Sequence, residues 1–355
     1  MPELTQKFEK VAEALLDQNQ PFPPSLLRNF SDLSPKDLRT LKQLWPAIEP
    51  RRKLSLFEDL ETIAENDTLV NFDEFAKLGI ADVDPAVRVM AIRLLWECEE
   101  IALVPLLTDM MQSDGAEDVR AAAASALGKF VYLGELDSIP DSLKISLVQN
   151  LLDVVTSEDL PFVRRNALES LGYSGNPKVP GLLHKALESY DNQWVASALF
   201  AISRSADEQW SDVVLKYLER SETEVLFEAV RAAGDLELDE ARDTLLELLD
   251  SNDDDPELRY AIIWSLSQIG GEGVKDIFED LLKKSADDEE ISWLERGLEN
   301  LDLGGDIDKM DFLNLEGNPD SLDDDNDGDF DEDELDLEDI EEDEDEQDDD
   351  DEDNY

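Results

Sequence analysis

The chain has 355 residues, 41% of them hydrophobic, enough for two ordinary domains or one repeat array. Its 90 acidic and 30 basic residues give a formal charge of −60, which excludes binding DNA, RNA or anionic lipid through the bulk of the surface, because those partners require a positive footprint. A lone cysteine, Cys98, rules out an intramolecular disulfide, and with no signal-peptide pattern and no apolar run near the ~20 residues of a membrane span, the expectation is a cytoplasmic protein with no membrane partner.

The first zone, residues 1–53, is a helical segment with nine basic and seven acidic side chains. Phe8, Val11, Leu15 and Leu16 sit at helical spacing and predict a helix from Leu4 to Asp17. Pro21, Pro23 and Pro24 interrupt the chain, and Ser34-Pro35 opens a second helix, Ser as cap and Pro in the first turn. Pro46 and Pro50 close it, and Arg51-Arg52-Lys53 follows as the densest basic cluster of the sequence.

Residues 54–304 repeat. Asp84-Pro85-Ala86-Val87-Arg88 with Ala91 and Leu94-Leu95 returns at Val119-Arg120 with Ala123 and Leu127-Gly128, and at Val163-Arg164 with Ala167 and Leu171-Gly172. Weaker copies follow at Val195, Leu226, Arg259 and Ser292, and the steps between equivalent positions are 32, 44, 31, 31, 33 and 33 residues. The long step reflects an insertion near Tyr132 to Leu143, and a further unit from Leu54 to Ala81 fits the length without the Arg. Each unit reads as two helices. The first carries a small residue (Ala91, Ala123, Ala167, Ala198, Ala229), and Gly128, Gly172 and Gly234 suit the turn that ends it. The second is amphipathic, as in Leu182-Leu183 with Leu187. One such pair cannot bury both apolar faces, so pairs must stack. The fold class expected is all-α, an α-solenoid superhelix of about eight helix pairs.

The third zone, residues 305–355, is a disordered acidic tail in expectation. Residues 323–353 hold 24 acidic side chains among 31 and no basic one, too little apolar surface to offset the entropy of folding. Within it, Asp323, Asp325, Asp327, Asp329, Asp331 and Glu334, with Gly328 at the sixth position, satisfy the EF-hand loop pattern. They are the metal candidates, for weak calcium binding, against the competing reading of diffuse cation binding by the whole tail. No other cofactor is expected. The repeats are acidic in their own right, with 54 acidic against 20 basic residues in 54–304.

The Asp-Pro-x-Val-Arg-x-x-Ala pattern followed by Leu-Gly resembles HEAT repeats of the short type found in phycobilisome lyases. The resemblance covers about residues 54 to 300 and speaks to fold, since such repeats host many roles. Arg88, Arg120, Arg164 and Arg259, in register, form either an anion-binding ladder or, as the resemblance implies, bonds to an acidic residue or carbonyl of the adjacent repeat. Three units lack the Arg, which favours the second reading.

Enzymatic readings fare poorly. His184 is the only histidine, and one His makes neither a zinc site nor a charge-relay pair. Deoxyhypusine hydroxylase, with similar repeats, holds iron through paired His-Glu motifs, and no His-Glu dipeptide occurs here. HEAT-fold DNA glycosylases need a basic face. Cys98 sits among Trp96-Glu97 and Glu99-Glu100, and acidic neighbours raise a thiol pKa and quench its reactivity. Trp194, Trp210, Trp264 and Trp293 line either a groove or the core. The sequence therefore points to a non-enzymatic scaffold or adaptor that binds a basic protein through its acidic surface and tail. A bilin-lyase-like enzyme or accessory subunit is the alternative, and the oligomeric state is left open.

Overall fold

Proline and capping residues set where the helices begin. The structure, a computed structural model, describes residues 6–251 and 255–315. Seventeen α-helices occur among them, in chain order α1 Gln6–Leu16, α2 Pro35–Leu44, α3 Pro50–Asn66, α4 Asp73–Gly79, α5 Pro85–Leu94, α6 Leu103–Ser113, α7 Glu117–Glu135, α8 Asp141–Val155, α9 Pro161–Ser170, α10 Val179–Leu187, α11 Asn192–Ser203, α12 Ser211–Tyr217, α13 Thr223–Asp235, α14 Arg242–Ser251, α15 Pro256–Ile269, α16 Val274–Lys284 and α17 Asp288–Leu315. Pro35, Pro50, Pro85, Pro161 and Pro256 open five of them, at a position whose N–H has no helical partner in any case. The side chains of Ser34, Asp84, Asp191 and Asp255 accept from a free N–H of the following first turn.

From α3 onward the odd-numbered helices pack on one another in series, α3 to α15, in the order of the chain. Each even-numbered helix from α4 to α14 packs against the odd helix that follows it. The spatial hairpins are thus α4/α5, α6/α7 and so on, one helix out of phase with the units read from the motif. Short connections explain the phase: only residues 114–116 separate α6 from α7, whereas residues 95–102 separate α5 from α6. Among the described residues the six hairpins from α4/α5 to α14/α15, with α3 before them and α16 and α17 after, make an α-solenoid, in keeping with the superhelix of about eight helix pairs expected. The insertion is an elongation of two helices, since α7 has 19 residues and α8 has 15 where α5 and α9 have ten.

The core is continuous from Phe8 to Leu294. Ala91, Ala123, Ala167, Ala198 and Ala229 are fully buried in it. The glycines expected to end helices have another role. Gly128 lies inside α7, and none of Gly128, Gly172 and Gly234 has a positive φ. A Cβ on Gly172 would stand 2.3 Å from the Ala201 carbonyl oxygen, and one on Gly234 2.7 Å from Ser265 Cα. Their missing side chains let the next odd helix approach, and Ser170 and Ser265 use that approach to donate to the Ala124 and Val230 carbonyls, each at 2.8 Å.

The N-terminal helices share this core, and α3 runs through the boundary expected at residue 53. Its basic cluster is not a surface patch. Lys53 is only 4% exposed, with Nζ 2.6 Å from Asp82 Oδ2 and 4.7 Å from the centre of the Trp45 ring. Trp45 Nε1 donates to the same Asp82 oxygen at 2.7 Å. Arg52 donates to the Asp17 and Gln20 carbonyls just beyond α1, and Arg51 alone is exposed. A charge on a helix that packs on both sides must find a partner, which is why the cluster is divided.

Candidate functional site

The four in-register arginines join hairpin to hairpin. Arg88 forks onto Asp114, Nε to Oδ2 at 2.9 Å and Nη2 to Oδ1 at 2.7 Å, while Nη1 donates to the Asp82 carbonyl at 2.8 Å. Arg120 repeats the arrangement on Asp159, at 2.8 and 2.7 Å, with Nη1 on the Asp114 carbonyl at 2.9 Å. Arg259 meets Glu290 at 2.5 Å and the Leu249 carbonyl at 2.7 Å. Arg164 donates to the Val155 carbonyl at 2.9 Å and lies 5.4 Å from the centre of the Trp194 ring, with an aromatic in place of the acid. One end of each guanidinium holds its own hairpin and the other end holds the next. Burial would raise the Asp114 carboxyl, but Arg88 and the Ala116 N–H hold it below its ordinary value; Arg120 is the main cause of the same shift at Asp159.

The feature open to a partner lies on the odd helices. A groove of about 1170 Å³ runs across α3, α5, α7 and α9 to Arg204 at the end of α11. Val89, Met90, Ala122 and Ala126 form much of its floor. Trp96, Tyr132 and Phe162 stand in it 54%, 47% and 46% exposed, large for aromatic side chains in a chain with a full core. Glu58, Glu61, Glu65 and Asp118 line it toward α3 and α7, and Arg93 bridges to Glu61 at 2.9 Å. Lys129 fixes the wall beneath Trp96: its Nζ donates to the Leu95 and Trp96 carbonyls, each at 3.0 Å, and to that of Cys98. Burial lowers the Lys129 pKa, with Cys98 and neighbouring carboxylates opposing. The groove stands just above the few hundred to ~1,000 Å³ of small-molecule sites and is predominantly apolar with a charged edge.

The expected aromatics are elsewhere. Trp210 is buried with His184 against it, ring centres 4.8 Å apart; Trp293 stacks on Tyr260; Trp194 serves Arg164. Trp96, Tyr132 and Phe162 escape a search by repeat register because each sits at a different place in its unit. Cys98 is buried, and burial, more than its acidic neighbours, raises its pKa. The calcium-loop positions Asp323, Asp325, Asp327, Asp329, Asp331 and Glu334, and the acidic tail as a whole, lie outside the described residues. Among the described residues no group of three or more His, Cys, Asp or Glu is placed to hold a metal, and no helix is long and apolar enough to cross a membrane.

Stacked hairpins tied by in-register arginines define the class, an α-solenoid. Residues 73–145 and 211–299 match the family described as HEAT repeats, and the stacked helix pairs of the solenoid are HEAT-like. Among solved structures it is similar to YibA of Escherichia coli, at 17% identity over 78% of this chain and 96% of that one, with a TM-score of 0.40. It is also similar to human deoxyhypusine hydroxylase in complex with glycerol, at 17% identity, 74% and 96% coverage and a TM-score of 0.33. A third is Kap95p with RanGDP, at 12% identity, 83% and 41% coverage and a TM-score of 0.37. These likenesses extend no further than repeated helix pairs. No curated protein matches the chain.

Proposed function

We propose that the chain is a protein-binding scaffold that seats a segment of a basic partner in the groove on its odd helices. The observation that carries this is the set of three half-exposed aromatics, Trp96, Tyr132 and Phe162, on an apolar floor edged by Glu58, Glu61, Glu65 and Asp118. Covering the open half of such an aromatic is worth about 2–3 kcal/mol, and aromatics of this kind are common interface anchors. The carboxylates select for Lys and Arg and speed encounter, and the surplus of acidic side chains over the whole chain acts in the same sense at longer range.

The test compares the full chain with its Trp96→Ala/Phe162→Ala variant, by fluorescence anisotropy with a labelled amphipathic peptide carrying lysines, leucines and a tryptophan. Binding to the parent chain is expected to weaken by tenfold or more in the variant and to fall as salt rises, while an acidic peptide of the same apolar content does not bind. Equal affinity of the parent and the variant at low salt would overturn the proposal.

A further inference from the structure

The two ends of the groove differ in charge. At α3 the lining offers Glu58, Glu61 and Glu65, of which Glu61 is paired to Arg93. At the far end it offers Arg204, the residue that ends α11. The Arg204 guanidinium lies 4.1 Å from the Phe200 ring centre and 4.9 Å from that of Tyr173, held on two aromatic faces. Its one hydrogen bond is from Nη1 to the Glu169 carbonyl, at 3.0 Å, and it makes no ion pair within 4 Å among the described residues. The Glu169 carboxylate is taken by Ser197 Oγ at 2.6 Å. Glu228 and Arg231 of α13 stand nearby, and Arg231 shares the Phe200 ring at 5.3 Å. A stacked guanidinium with unused N–H groups is a planar fork, the geometry that grips a carboxylate with two parallel bonds.

We propose, resting on the groove reading above, that Arg204 receives a carboxylate of the bound segment while its basic residues lie over Glu58, Glu61 and Glu65. The groove then accepts a segment whose opposite charges are separated, and accepts it in one direction. The helices α3, α5, α7, α9 and α11 are four steps apart, at about 8–10 Å each, so the two ends are separated by roughly 32–40 Å. An extended segment of roughly ten to twelve residues covers that distance.

The probe is an extended peptide of that length with lysines at its amino end, apolar and aromatic residues in the middle, and aspartates with a free carboxyl terminus. Its control replaces the aspartates by asparagine and the carboxyl by an amide. The full chain is expected to prefer the first peptide roughly tenfold, and Arg204→Gln to abolish that preference. Arg204→Lys, which keeps the charge and loses the fork, is expected to lose most of it, and far-ultraviolet circular dichroism confirms that both variants are folded. A photo-crosslinker beside the aspartates is expected to label α9 to α13, and one beside the lysines to label α3. Equal binding of the two peptides, a preference that survives Arg204→Gln, or crosslinks at the opposite ends would overturn this inference and leave the groove reading standing. Binding of neither peptide to the parent chain would overturn both.

Discussion

Glu228, on α13, is held where its charge is unwelcome. Its Oε2 is buried with no hydrogen-bond partner, and Arg231 comes no closer than 3.8 Å. Burial pushes its pKa from an ordinary 4.5 up to about 7; Arg231 and Arg204 oppose the shift, and Glu169 and Asp235 add to it. Between those two values the folded chain keeps a proton that the unfolded chain has lost, so stability falls as pH rises through that window, and the loss is complete above it. Glu228→Gln removes the penalty and is expected to stabilise the chain by about 1–3 kcal/mol at pH 8 and by less at pH 5, read from urea midpoints. An equal gain at both pH values would show that this carboxyl titrates normally. Asp82 behaves oppositely. Burial alone would raise it, but Lys53, the Asp84 N–H and Trp45 hold it below 3.8, so its stabilisation is present above that value and lost as acid titrates it. Glycine gives a second contrast. Gly172→Ala drives a methyl into the Ala201 backbone and is expected to cost about 1–3 kcal/mol, whereas Gly115→Ala meets nothing within 4 Å and should be neutral or slightly stabilising by urea titration.

The hairpins depend on the recurring Arg. Asp114 takes the fork of Arg88 on its side chain and Nη1 of Arg120 on its carbonyl, so it serves two successive junctions. Both side chains are largely shielded, at 15% and 11% exposure, so Asp114→Asn leaves a poorly paired guanidinium and is expected to cost about 2–4 kcal/mol in urea unfolding. An unchanged midpoint would reduce the ladder to surface decoration. The motif made these positions legible: Arg88, Arg120, Arg164 and Arg259 each stand fourth in their helix, because the Pro or acid that opens the helix and the small residue that follows are written in the sequence at fixed spacing. The hairpin phase was not legible, since periodicity tells where helices lie and not which neighbour each one touches. The burial of Lys53 was not legible in Arg51-Arg52-Lys53 for a related reason, since adjacent residues on a helix face different ways and only packing shows that Lys53 points inward. The groove was hidden because its floor of Val89, Met90, Ala122 and Ala126 is half-buried and mixed with Arg93, Ser125 and Asn166, which blurs any apolar stripe.

Across the whole chain the charge works against compaction. With 90 acidic and 30 basic residues, repulsion among carboxylates is the dominant long-range interaction, while the ion pairs at the junctions are short and shielded. Adding sodium chloride from about 10 to about 150 mM shortens the screening length from roughly 30 to roughly 8 Å, and the unfolding temperature in calorimetry is expected to rise. A fall would mean that the local pairs outweigh the general repulsion. The same screening weakens capture of a basic partner, so stability and affinity should move in opposite directions along one salt series.

Repeat arrays are commonly treated as divisible, each unit leaning only on its neighbours, and Lys129 limits where this one can be divided. It belongs to α7, yet its ammonium holds the carbonyls of Leu95, Trp96 and Cys98 at the end of α5. A fragment cut between α6 and α7 would keep Trp96 and the turn that carries it and lose the cation that fixes that turn. Engineering that shortens, swaps or grafts units of this array should therefore keep α5 to α7 as one indivisible cassette.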